Sequence, residues 1–65
     1  LLDAFLLAPP GRPELLLLQS LLGDATNWDV FTVRPDGIRL SAELSRQVHD
    51  APDRAAVAGR LAAPD

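Results

Sequence analysis

Pro13-Glu14-Leu15-Leu16-Leu17-Leu18-Gln19-Ser20-Leu21-Leu22-Gly23 is the stretch on which the reading of this chain turns. Proline is tolerated at the first position of a helix, where its missing N–H would be unpaired anyway. Glu14 then lies near the positive end of the helix dipole, and Gly23 stands where a left-handed cap ends a helix. The stretch is therefore read as a helix from Pro13 to about Leu22, with Gln19 and Ser20 its only polar interior residues. A helix that is apolar on nearly every face has to be buried on nearly every face. Two readings of the leucines follow: a central buried helix, or a leucine face completed by another chain.

On the N-terminal side, Leu1 to Ala8 is apolar apart from Asp3 and is expected to form a short helix with Leu2, Phe5 and Leu6 on one side. Pro9-Pro10-Gly11 ends it. Residues 1–12 are thus an apolar segment and a Pro/Gly linker, and residues 13–63 are the expected core of a single domain.

On the C-terminal side, Asp24 to Asn27 reads as a polar connector. Trp28-Asp29-Val30-Phe31-Thr32-Val33 is rich in β-branched and aromatic residues, and Arg34-Pro35-Asp36-Gly37 carries the residues of a tight turn. Ile38-Arg39-Leu40 resumes the alternation. This predicts a β-hairpin, with a type I turn and a glycine bulge, that must lie on helices to be stable. Ser41 is an expected N-cap, with Glu43 in the first turn of the helix. Leu44 and Val48 form its apolar pair. Asp50-Ala51-Pro52 breaks that helix and opens another, with Pro52 first, Asp53 as first-turn acid, Val57 and Leu61 as the apolar stripe, and Pro64 as the stop. The expected fold class is α+β: a small helix–β-hairpin–helix domain of order (α)-α-β-β-α-α, with the hairpin packed on the helices.

Sixty-five residues make one domain with a thin stability margin. Such chains usually need a disulfide, a metal or a partner. Cysteine is absent, which removes disulfides and thiolate metal sites. Hydrophobic residues make up 48% of the chain, so a partner for surplus apolar surface is expected. The net charge is −3 and all six cations are arginine. Scattered arginines on an acidic chain lack the clustered positive charge that nucleic-acid binding needs, so nucleic acid is not an expected partner. The arginine-only, alanine- and proline-rich usage points to a GC-rich bacterial genome. The apolar block of Leu15 to Leu22 falls well short of the roughly twenty residues of a membrane span and lacks the cationic lead of a secretory signal. A cytoplasmic location is expected. The chain does not start with Met, as expected of a piece of a longer protein.

Catalytic and metal chemistry find little support. His49 is the one histidine, and zinc needs three or four ligands at set spacing. His49 beside Asp50 reads as a surface residue at a helix C-terminus. Asp24 to Asp29 lacks the alternating acids, central glycine and distal Glu of a calcium loop. Ser20, Ser41 and Ser45 have structural roles available and no visible base and orienter. The glycines form no phosphate loop, and the carboxylates no catalytic pair. No enzyme activity and no cofactor are expected.

Ile38-Arg39-Leu40-Ser41-Ala42-Glu43-Leu44 resembles the strand-to-helix entry of ribbon–helix–helix repressors. That resemblance implies a dimeric DNA-binding regulator in which Arg34 and Arg39 touch phosphates or bases. The preceding hairpin strand and the short helices depart from the family pattern. The order of helix, hairpin and helices is also similar to the β-hairpin docking domains at subunit ends of modular synthases, which implies capture of a short peptide by strand addition or helix packing.

The expected function is protein–protein recognition, by docking or self-association, with another protein or a second copy as partner. Leu15, Leu18, Leu22, Trp28 and Phe31 are the expected energetic residues, and Arg34 and Arg39 the rim contacts. Trp28 is also readable as a core plug, the commoner role of a lone Trp at a strand start. A structural fragment of a larger enzyme is the third reading. The isolated chain is expected to oligomerise or to be marginally folded.

Overall fold

The tetraleucine stretch is a strand. In the computed structural model, which describes residues 1–62, the elements run β1 (Asp3–Leu7), β2 (Glu14–Leu22), β3 (Ala25–Arg34), β4 (Gly37–Leu40), α1 (Ala42–Val48) and α2 (Arg54–Ala62). The four strands form one antiparallel sheet in the order β1-β2-β3-β4, and both helices follow it. The expected order (α)-α-β-β-α-α is therefore corrected to β-β-β-β-α-α. Neither Leu1–Ala8 nor Pro13–Leu22 is helical; each is a strand of the same sheet.

The physical reason lies in pairing. β2 is flanked by a strand on each side, with Leu17 opposite Phe5 on β1 and opposite Val30 on β3. Helix propensities differ by only a few tenths of a kcal/mol per residue among ordinary residues, and tertiary context overrides them. Gly23 is not a helix cap. Gly23-Asp24 is the two-residue loop between Leu22 and Ala25, which pair directly. Gly23 has φ of +65°, the positive value that a two-residue hairpin loop takes at its first residue. The expected polar connector is consequently the start of a ten-residue strand.

Successive side chains on a strand point to opposite faces. Leu15 and Leu17 face the helices and are fully buried, as are Trp28 and Val30 beside them. Val48, Ala51, Val57 and Leu61 close over them from the helical layer, with Phe5, Leu7, Leu44 and Ala56 at the margin. Trp28 stands edge-on to Phe5, with ring centroids 5.6 Å apart. Its indole N–H donates to the carbonyl of Ala51 at 3.0 Å.

The expected hairpin is present as β3 and β4, with Arg34 opposite Gly37 across Pro35-Asp36 and Gly37 at φ of +146°. Ser41 caps α1 as expected, its hydroxyl accepting from the Leu44 N–H. Asp53 departs from expectation: its carboxylate accepts from the Ala56 N–H at 2.9 Å, so it stands before α2 rather than within its first turn. The expected stop at Pro64, and the last residue of the expected 13–63 core, lie outside the described residues.

β3 extends beyond β4, which stops at Leu40 opposite Phe31. The backbone edge left over is taken by α1. The Val30 N–H donates to the Ser45 hydroxyl at 2.8 Å. The Trp28 N–H donates to the His49 carbonyl at 3.1 Å, and the Val30 carbonyl accepts from the Ser41 N–H at 2.8 Å. Ser45 thus stands in for a missing strand. Ser45→Ala leaves a buried N–H without an acceptor and is expected to cost about 1–3 kcal/mol, read as a lower urea midpoint with an unchanged m-value.

Two ion pairs hold the helices in place. Arg54 at the start of α2 donates to Asp3 on β1, Nε to Oδ2 at 2.7 Å, and its guanidinium lies 4.8 Å from the centroid of the Phe5 ring. Arg60 joins Asp50 and the Gln47 carbonyl. The hydrogen bonds from Arg54 and Arg60 hold the Asp3 and Asp50 carboxyls below their ordinary value of 3.8. A carboxyl whose pKa is lower in the folded state contributes stability above its unfolded pKa and loses it as the pH falls through the folded value. Thermal melts are therefore expected to shift downward on acidification below about pH 4, and Arg54→Ala or Arg60→Ala should flatten that decline.

Candidate functional site

The helices cover one face of the sheet only. The shortest dimension of the domain is 18 Å, room for one sheet and one layer of helices. Directly paired residues of an antiparallel sheet share a face, so the register defines what lies on the uncovered side. The middle row crosses all four strands as Leu6, Leu16, Phe31 and Leu40. One neighbouring row is Glu14, Val33 and Ile38. The other is Ala4, Leu18 and Asp29.

Seven large apolar side chains thus share a face on which no helix lies. Leu6 is 59% exposed, Ile38 59% and Leu40 57%. Leu16, Leu18, Phe31 and Val33 are half-buried by one another. At strand spacings of about 4.8 Å across and 3.3 Å per residue along, three rows of this width cover on the order of 400 Å². Contiguous apolar patches of a few hundred Å² are the size at which monomeric proteins carry interaction sites.

The charged residues of these three rows, Glu14 and Asp29, are both negative and occupy opposite corners. Glu14 lies beside the end of β1, and Asp29 lies beyond the end of β4. Asp29 is held by the Asn27 side-chain amide at 3.4 Å. From the register the two corners are about 14 Å apart. The apolar residues run along the other diagonal, from Val33 and Ile38 to Leu18 and Ala4.

The residues expected to make partner contacts divide between the two faces. Leu15 and Trp28 are in the core and unavailable to a partner in the folded domain. Leu18 and Phe31 lie on the uncovered face. Leu22 is 71% exposed on the same side, at the tip of the β2–β3 hairpin, next to exposed Leu21. Arg34 registers with Gly37 and Arg39 with Thr32, on the helical side. Arg39 pairs with Asp36 at 3.8 Å, both largely exposed. Sequence reasoning missed Leu6, Leu16, Val33, Ile38 and Leu40, and the flanking Glu14 and Asp29. The signal that finds them is period two across four paired strands, and it becomes visible only once β2 is read as a strand.

β4 is exposed along its whole length, and its outer edge is an available backbone edge. In contrast to the inter-chain ribbon of the ribbon–helix–helix pattern, β4 is the fourth strand of a sheet within one chain. Among the described residues no cleft enters the domain, no three metal-ligating side chains gather, and no helix is long and apolar enough to cross a membrane. No protein-family model, curated protein or solved structure matches this chain.

Proposed function

We propose that the chain is a non-catalytic protein–protein recognition module whose binding surface is the uncovered face of the sheet. The observation that carries this reading is the row Leu6-Leu16-Phe31-Leu40, apolar across all four strands and bare of any covering layer. A sheet normally buries its apolar face against another element, and here the second layer is supplied by a partner. Recognition then works by removing these side chains from water, with Phe31 and Leu16 at the centre of the patch, where energetic residues of interfaces concentrate. Leu22 at the hairpin tip and the free edge of β4 extend the surface on two sides.

The test begins with a captured candidate partner that is identified, prepared pure and titrated against the chain. Phe31→Asp is expected to weaken binding at least tenfold, because it places a charge at the desolvated centre of the contact. Arg46→Ala, on the exposed side of α1, is expected to leave binding unchanged. Binding that ignores Phe31→Asp and fails with α1 or α2 surface variants refutes the assignment of the face.

A further inference from the structure

We propose that the occupant of this face is an amphipathic helix of another protein, carrying basic residues on both flanks of its apolar stripe. The inference rests on the recognition reading above and names the partner's chemistry. Three observations lead to it. The first is charge. The face carries Glu14 and Asp29, while the strand arginines, Arg34 and Arg39, register on the helical side. A carboxylate at the margin of a desolvated patch favours an opposite charge across the interface and rejects a like one. The second is shape. The two acids lie off the apolar diagonal, one on each side, so an element laid along Val33, Phe31, Leu16 and Leu18 has an acid on either flank. Continued to Ile38 on β4 and Ala4 on β1, that diagonal is about 19 Å long by strand spacing, the length of roughly 13 residues of helix. The third is self-repulsion. Two copies of this chain face to face would bring the four carboxylates of Glu14 and Asp29 to the contact with no strand arginine to meet them, from chains of net charge −3 each. A basic helix meets both acids along the apolar diagonal; a second copy leaves them facing like charges.

The experiment uses the full chain and a pair of synthetic helical peptides of about 14 residues. Both carry the same leucine stripe, one flanked by lysine and arginine and its twin by glutamate. Binding is measured by calorimetry and mapped by amide chemical shifts, with sedimentation equilibrium of the chain alone alongside. The basic peptide is expected to bind at least tenfold more tightly than its twin, with shifts centred on Leu6, Leu16, Phe31 and Leu40. Added salt and the double substitution Glu14→Gln, Asp29→Asn are each expected to remove most of that preference without altering the thermal melt of the chain. Equal binding of the twins on this face overturns the basic-helix assignment and leaves the recognition reading standing. A micromolar self-association abolished by Phe31→Asp does the same, with a second copy as occupant. Failure of either peptide to shift the face, in a chain that stays monomeric, overturns the inference and counts against the recognition reading as well.

Discussion

Trp28→Ala is expected to leave the domain without a cooperative transition at room temperature. Trp28 is fully buried, supports Phe5 edge-on and joins β3 to the α1–α2 connection through Ala51. Removing a buried tryptophan side chain costs about 3–5 kcal/mol. A domain of this length has a total stability of roughly 3–10 kcal/mol, so the loss approaches the whole. The substitution also strands the Ala51 carbonyl. Trp28→Phe separates the two contributions: it retains a ring in the core and loses the N–H, and should lower stability by about 1–2 kcal/mol with the transition still cooperative. Far-ultraviolet circular dichroism in urea measures both. A cooperative Trp28→Ala transition near the wild-type midpoint would show that Trp28 does not hold the sheet to the helices.

The second large effect separates neighbouring leucines. Leu17→Asp places a charge opposite Val30 in the fully buried core. Burying an unpaired charge is among the severest single changes, and the variant is expected to be unfolded. Leu16→Asp, one residue away, places its charge on the uncovered face, where water reaches it. Its cost is expected to be about 1 kcal/mol, on the scale of strand-propensity differences. The variant should stay folded and become more soluble. A helix would not produce this alternation, because residues 16 and 17 of a helix lie only about 100° apart and both would border the same core. Equal destabilisation by the two substitutions would contradict the strand assignment.

The legible part of the fold was the part with unambiguous local chemistry. Pro35-Asp36-Gly37 between β-branched runs marked the β3–β4 hairpin, and Ser41 marked the start of α1, because turns and caps are decided within four residues. Leu15 to Leu18 was misleading because both faces of β2 are leucine. Where inward and outward positions carry the same residue, period two leaves no trace, and an apolar run of this length cannot be assigned by periodicity. The remaining local signal was Gly23-Asp24, a two-residue hairpin loop between two apolar runs, and reading Gly23 as a helix cap hid it. That one reassignment places Leu15 in the core and Leu16 on the uncovered face. Phe31 and Leu18 were picked out for their size, although their face was not. Trp28 had two readings, and its indole bond to Ala51 places it in the core. Glu14 looked like a helix dipole partner and is instead a corner of the uncovered face.

The expectation of more apolar surface than the chain itself covers retains its physical basis with a different geometry: a bare sheet face in place of a leucine helix. Paramagnetic relaxation of methyl groups by a water-soluble gadolinium chelate, on dilute selectively labelled chain, reads that face directly. Methyl signals of Leu6, Leu16, Leu18, Ile38 and Leu40 are predicted to broaden strongly, while those of Leu15, Leu17, Val57 and Leu61 stay sharp. Protection of Leu16 and Leu18 equal to that of Leu15 and Leu17 would mean that the face is already covered, and would contradict the account.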